Sequence, residues 1–146
     1  YFLSVLYTWS KTSPRHRSMM PATFFAFMGA VFGILTVALG AFGAHALKTT
    51  LDSYGLGIWE KAVFYQAIHS LLLLILPALS NYLTPKELNI SGYLIIIGIL
   101  LFSGSLYILA ISGKKYFGAI TPIGGVAFIT GWSWLAYALF KATFRS

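Results

Sequence analysis

Four side chains in this sequence are of types that do chemistry in an apolar setting: His45, Glu60, Gln66 and His69. Trp59, Ala62, Gln66 and His69 recur at helical spacing, which puts Gln66 and His69 on one face of a helix. His69 sits about 15 Å from the Trp59 end at 1.5 Å per residue. His45 and Glu60 fall near the same end if their two helices run antiparallel, so the four form a candidate polar face. Such a face suits a proton relay, an ion path or a headgroup pocket. The competing reading is hydrogen-bonded glue between helices, worth about 0.6 to 2 kcal/mol per residue. Metal binding is weaker, because two His at different depths and one Glu lack the three or four convergent ligands of a zinc site. There is no cysteine and no nucleophile motif, so no catalytic residue, cofactor or metal site is assigned.

The elements that position these residues follow from composition. The chain is 58% hydrophobic and 9% charged. A soluble domain carries about 25% charged residues, so the class is an integral membrane protein. The net charge of +7 comes from ten Lys and Arg spread over chain ends and loops. That distribution suits anionic lipid headgroups and argues against nucleic acid. The spacing predicts an all-α protein of four transmembrane helices in an antiparallel up-down bundle with an N-terminal extension. The spans run over about 22–47, 59–79, 90–111 and 120–140, within a domain of 22–146. Residues 1–21 read as a basic, acid-free N-terminal arm or the remnant of a processed leader.

The first span carries small residues at alternating steps of four and three: Ala22, Ala26, Gly29, Gly33, Thr36, Gly40 and Gly43. That is a packing seam for a neighbouring helix. Phe24, Phe25, Phe27, Phe32, Leu35 and Leu39 fall largely elsewhere and are expected to meet lipid. Shorter seams occur at Gly98, Phe102 and Ser105, and at Gly124, Phe128, Gly131, Leu135 and Ala138. Gly55 and Gly57 read as loop punctuation. Thr84 or Pro85 starts the third helix, with Lys86 and Glu87 solvated. Thr121 reads as an N-cap with Pro122 at the first helical position. Lys114 and Lys115, in the last loop, are candidate headgroup contacts.

Five stretches together resemble a known family: ALGAFGAHALK at 38–48, Trp59-Glu60-Lys61-Ala62, Tyr65-Gln66-Ala67-Ile68-His69, LFSGSLYILAISG at 101–113 and FGAITPIGGVAFITGW at 117–132. In this order they resemble the four-helix family called domain of unknown function 423, whose animal members are the transmembrane protein 256-like proteins. The resemblance covers about residues 22–140. It implies a compact membrane protein of the bacterial inner membrane or the mitochondrial inner membrane, and no activity. The basic arm tilts the expectation toward a mitochondrial copy. The leading expectation is a non-catalytic accessory subunit of a larger membrane complex, plausibly a mitochondrial respiratory complex, in contact with membrane lipids and other membrane subunits. The alternative is a small oligomeric transporter or proton channel using the Gln66 and His69 face. A lipid-modifying enzyme ranks last.

Overall fold

In lipid every backbone polar group must be bonded within the chain, so an uncharged apolar run of this length becomes a helix. The computed structural model describes residues 22–145, and the N-terminal arm expected over 1–21 lies outside the described residues. Helix α1 spans Thr23–His45 and α2 spans Ser53–Ile75, continued by a 3-10 turn over Leu76–Asn81. Helix α3 (Pro85–Gly98) runs through a π-turn (Ile99–Ser103) into α4 (Gly104–Ser112). A 3-10 turn over Lys115–Ala119 leads into α5 (Thr121–Thr143). Four continuous helical stretches are long and apolar enough to cross a membrane: Thr23–His45, Ser53–Asn81, Pro85–Ser112 and Lys115–Thr143. Over the described residues the chain is therefore an all-α membrane protein with four spans.

The boundaries of the second and fourth spans differ from the sequence expectation, while the third helix starts at Pro85 as expected, each for a local reason. The second helix starts at Ser53, not Trp59, because the Asp52 carboxylate caps it by accepting from the Gly55 N–H at 2.7 Å. Gly55 and Gly57 are thus helical rather than loop. Gly55 is also buried, and a Cβ there would crowd Leu51 at 3.3 Å. The third helix starts at Pro85 behind a full capping box. Thr84 Oγ1 accepts from the Glu87 N–H at 3.3 Å, and Glu87 Oε2 accepts from the Thr84 N–H at 2.9 Å. Gly113 ends α4 in the left-handed conformation, with φ 66°. The loop after it is the 3-10 turn, and the N-cap of α5 is Ile120, not Thr121. The Thr121 hydroxyl instead meets Ser105 Oγ at 2.8 Å, tying α4 to α5.

Consecutive spans pack against each other, most closely α1 with α2 and α3 with α5, while the first and fourth spans share no extensive contact. The main core joins Phe25 and Phe32 of α1, Leu72 and Leu73 of α2, Ile95 of α3 and Phe128 of α5. Phe25 and Phe32 are buried, contrary to the expectation that α1's bulky residues face lipid. The Phe25 ring fills the space a side chain on Gly92 of α3 would occupy. Phe27 and Leu35 do face outward. Two smaller clusters, around Trp59 with Ala110 and around Ala62 with Leu106, lie on the other side of Gln66 and His69 along α2.

Of the four glycines expected in the α1 seam, Gly29 is the one that meets backbone of α2. A Cβ there would lie 2.6 Å from Leu74 N and 2.7 Å from Ser70 O. Gly43 seats the Trp59 indole, and Gly40 lies beside Val63. A methyl on Gly33 would have nothing within 4 Å, so the seam has a gap there. The buried face of α5 is Gly124, Phe128, Gly131, Leu135 and Ala138, the set read from the spacing.

Candidate functional site

The residues expected to form one polar face divide into three groups. His45 is exposed at the end of α1, and Glu60 is exposed on α2. Neither takes part in the one ion pair found among the described residues, so the expected meeting of His45 with Glu60 does not occur. Trp59, next to Glu60, takes the position packed directly on α1 and donates its indole N–H to the Leu39 carbonyl at 2.9 Å, while Glu60 lies at the open groove between the two helices.

Gln66 and His69 are both buried, as their spacing on α2 requires. They serve different neighbours. The Gln66 amide N–H donates to the Phe32 carbonyl of α1 at 3.0 Å, and its oxygen accepts from the Tyr107 hydroxyl of α4 at 3.1 Å. One amide therefore clamps α1 and α4 to α2. Nothing in the sequence marks Tyr107 as the partner; 41 residues separate it from Gln66, and only folding brings the two together.

His69 turns toward α5. Its Nδ1 lies 2.7 Å from the Tyr65 carbonyl, and its Nε2 lies 3.1 Å from the Trp132 indole nitrogen. A carbonyl can only accept and an indole N–H can only donate. The geometry therefore requires a neutral ring with the proton on Nδ1 and the Nε2 lone pair facing Trp132. The charged form would set two donors against each other at Nε2. The His69 ring also stacks on Phe128, with centroids 3.5 Å apart and planes at 12°. A fully bonded, stacked imidazole is well held and has no free lone pair to offer a metal or a substrate.

Two further polar contacts complete the layer. Ser103, in the π-turn, donates to the Ala62 carbonyl at 2.9 Å, joining the third span to α2. At the opposite end Glu87, expected to be solvated, is buried and holds Arg145. Arg145 Nη2 lies 2.6 Å from Glu87 Oε1 and Nη1 lies 3.1 Å from Oε2. That forked pair fastens the end of the chain to the start of α3. The threonine-x-x-glutamate spacing at 84–87 is the sequence signal that Glu87 turns back to the helix end. Lys114 and Lys115 are exposed, as headgroup contacts must be. Among the described residues no three His, Asp or Glu side chains converge into a metal-sized cluster. Ser91 Oγ and Trp134 Nε1 are buried without a hydrogen-bond partner.

Proteins similar to this chain in sequence are named as membrane proteins. A UPF0382 membrane protein of Staphylococcus aureus (bovine strain RF122) is 48% identical over 117 residues, 80% of this chain and 95% of that protein. One from Staphylococcus haemolyticus is 45% identical over 117 residues, again 80% of this chain and 95% of the relative. The UPF0382 membrane protein YwdK of Bacillus subtilis is 42% identical over 118 residues, 80% of this chain and 96% of its own length. No solved structure matches. The profile of a family described as "Protein of unknown function (DUF423)" matches residues 39–125, which run from the end of α1 through the Gln66 and His69 layer into α5. The chain belongs to that family, as a small integral membrane protein.

Proposed function

We propose that this protein is a non-catalytic accessory subunit of a larger membrane assembly. The observation that carries the proposal is the use of its intramembrane polar groups. Gln66, His69 and Ser103 each direct their hydrogen bonds to a neighbouring helix or to the helix backbone. Polar side chains arranged this way hold helices in register. A transport path would need polar groups turned toward water. The outward surface, in contrast, is rich in aromatic and aliphatic side chains such as Phe27, Val37, Ile129 and Phe140. It suits lipid or the apolar helices of a partner.

The relatives in Staphylococcus and Bacillus favour a bacterial membrane over the mitochondrial inner membrane expected from the basic arm. The respiratory-chain setting loses its support together with the mitochondrial one. The partner is proposed as another integral membrane protein.

The test is extraction in mild detergent, native gel separation and mass spectrometry of the band that holds this chain. Migration with a larger complex, and loss or weakening of that complex on deletion, is the expected result. Migration as a small homo-oligomer, with every large complex intact in the deletion strain, overturns the proposal. That outcome favours the transporter reading, and flux through reconstituted vesicles with His69→Ala then becomes the deciding assay.

A further inference from the structure

We propose that the groove between α2, α4 and the 115–122 segment is a binding site for one anionic phospholipid. The groove has a volume of about 450 Å³, within the range of small-ligand pockets, roughly 300–1,000 Å³. Its walls are apolar: Ile58 from α2, Phe102 from the π-turn, and Leu106 and Leu109 from α4. Its polar groups are Lys61 and Tyr54 from α2, with Thr121 at the start of α5. This is the division a phospholipid presents, an apolar chain continuous with a charged, hydrogen-bonding head.

Charge identifies the head. Lys61 lies two turns inside α2, about 12 Å from Ser53 along the axis. Lys61 is exposed at the groove, where an ammonium beside apolar walls favours an anion as its partner. Among the described residues no carboxylate pairs with it. Glu60, its neighbour in the chain, lines a different groove, between α1 and α2, with Gly40 and Trp59. The Lys61 stem can lie along Ile58 while the ammonium reaches toward the interface, where Tyr54 is exposed. Lys114 and Lys115 are on the segment that forms the far wall at Gly118. They do not themselves line the groove; its lining joins one cation, Lys61, to apolar walls, and a phosphate with an acyl chain satisfies both.

Gly118 gives a way to close the groove. A Cβ there meets Leu109 Cδ2 at 3.4 Å, an ordinary contact, and its backbone φ is not in the left-handed region. A larger side chain can thus be added without forcing the backbone, and it projects toward the lipid position.

The full chain, purified in mild detergent and exchanged into mixed phosphatidylglycerol and phosphatidylcholine, is assayed for retained lipid by native mass spectrometry. The expected result is one phosphatidylglycerol per chain in preference to phosphatidylcholine. Lys61→Gln lowers retention about fivefold, the effect of one cation at a membrane surface. Lys61→Arg preserves retention, Gly118→Leu abolishes it, and Lys48→Gln, outside the groove, leaves it unchanged. Thermal melts of each variant in detergent establish that the fold is intact. If Gly118→Leu does not fold, the Lys61 series alone decides. Equal retention of the two lipids, or equal effects of Lys61→Gln and Lys48→Gln, overturns the site.

Discussion

The α1–α2 interface and the α3–α5 interface are both contacts between antiparallel apolar helices, yet they are held by different forces. Between α1 and α2 the side chains of the second helix reach the backbone of the first. Trp59 donates to Leu39 O and Gln66 to Phe32 O, and at Gly29 the two backbones themselves come close. Between α3 and α5 shape dominates. Phe128 fills the space beside Gly98, Gly124 sits on the Phe102 backbone, and Gly131 takes Ile95. The difference follows from how much of each helix is covered. Of its most apolar stretch, 17% is buried in the first span and 44% in the third. In lipid there is little hydrophobic gain from joining two helices, so packing contacts and hydrogen bonds must do it. The third span packs against both the second and the fourth. The first packs closely but chiefly on the second, and bonds to its carbonyls add to that one interface.

The largest expected effect tests whether close backbone approach is essential in both halves. Gly29→Ala puts a methyl 2.6 Å from Leu74 N, and Gly124→Ala drives one into the Phe102 backbone. Neither obstacle can rotate away, so the helices must separate. Each variant should lose about 3 kcal/mol, the upper end of ordinary overpacking costs, measured by reversible unfolding in micelles. A loss from Gly124→Ala alone would show that α1 is a loosely held helix, and the comparison would fail.

An intermediate effect separates the two forces. Gln66→Leu keeps the bulk but removes both bonds that clamp α1 and α4 to α2. It should cost about 1 to 2 kcal/mol. Cysteine pairs introduced across α1–α2 should cross-link more slowly in this background, whereas pairs across α3–α5 should be unaffected. Equal slowing at both interfaces would mean that the polar layer supports the whole bundle.

The smallest effect marks the edge of the first interface. Gly33→Ala meets nothing within 4 Å. It should be neutral, or stabilising by up to about 1 kcal/mol through helix propensity. A clear loss in the purified protein would place another copy of the chain against that gap.

The features legible in the sequence are those that repeat along one helix. The buried set of α5 recurs at steps of four and three, and the shared face of Gln66 and His69 is a matter of spacing. Features that depend on distant residues are not legible. Trp132 lies 63 positions from His69 and Arg145 lies 58 from Glu87, so neither pair has a local sign. Phe25 and Phe32 escape the spacing argument for a related reason. A seam of small residues marks one neighbour of a helix, but Phe25 touches a second, α3, through a glycine whose role only the pairing reveals. Glu87 departs from expectation despite a local signal, because an acid in a first turn more often faces water than the helix end.

The π-turn at Ile99–Ser103 has a consequence for how the third span tolerates change in length. An α-helix advances about 100° per residue, so one additional residue in a wider turn resets the angular phase of everything after it. Upstream of the turn, Gly92 and Ile95 are set for Phe25 and Gly131; downstream, Ser105 and Tyr107 are set for Thr121 and Gln66. The wider turn sets the direction of the second half relative to the first. Single-residue deletion within 99–103 would rotate α4 out of register with α2 while leaving the span long enough to cross the membrane. The third span thus behaves as two half-helices coupled by a phase shifter, and its frame, more than its hydrophobicity, is what the fold depends on there.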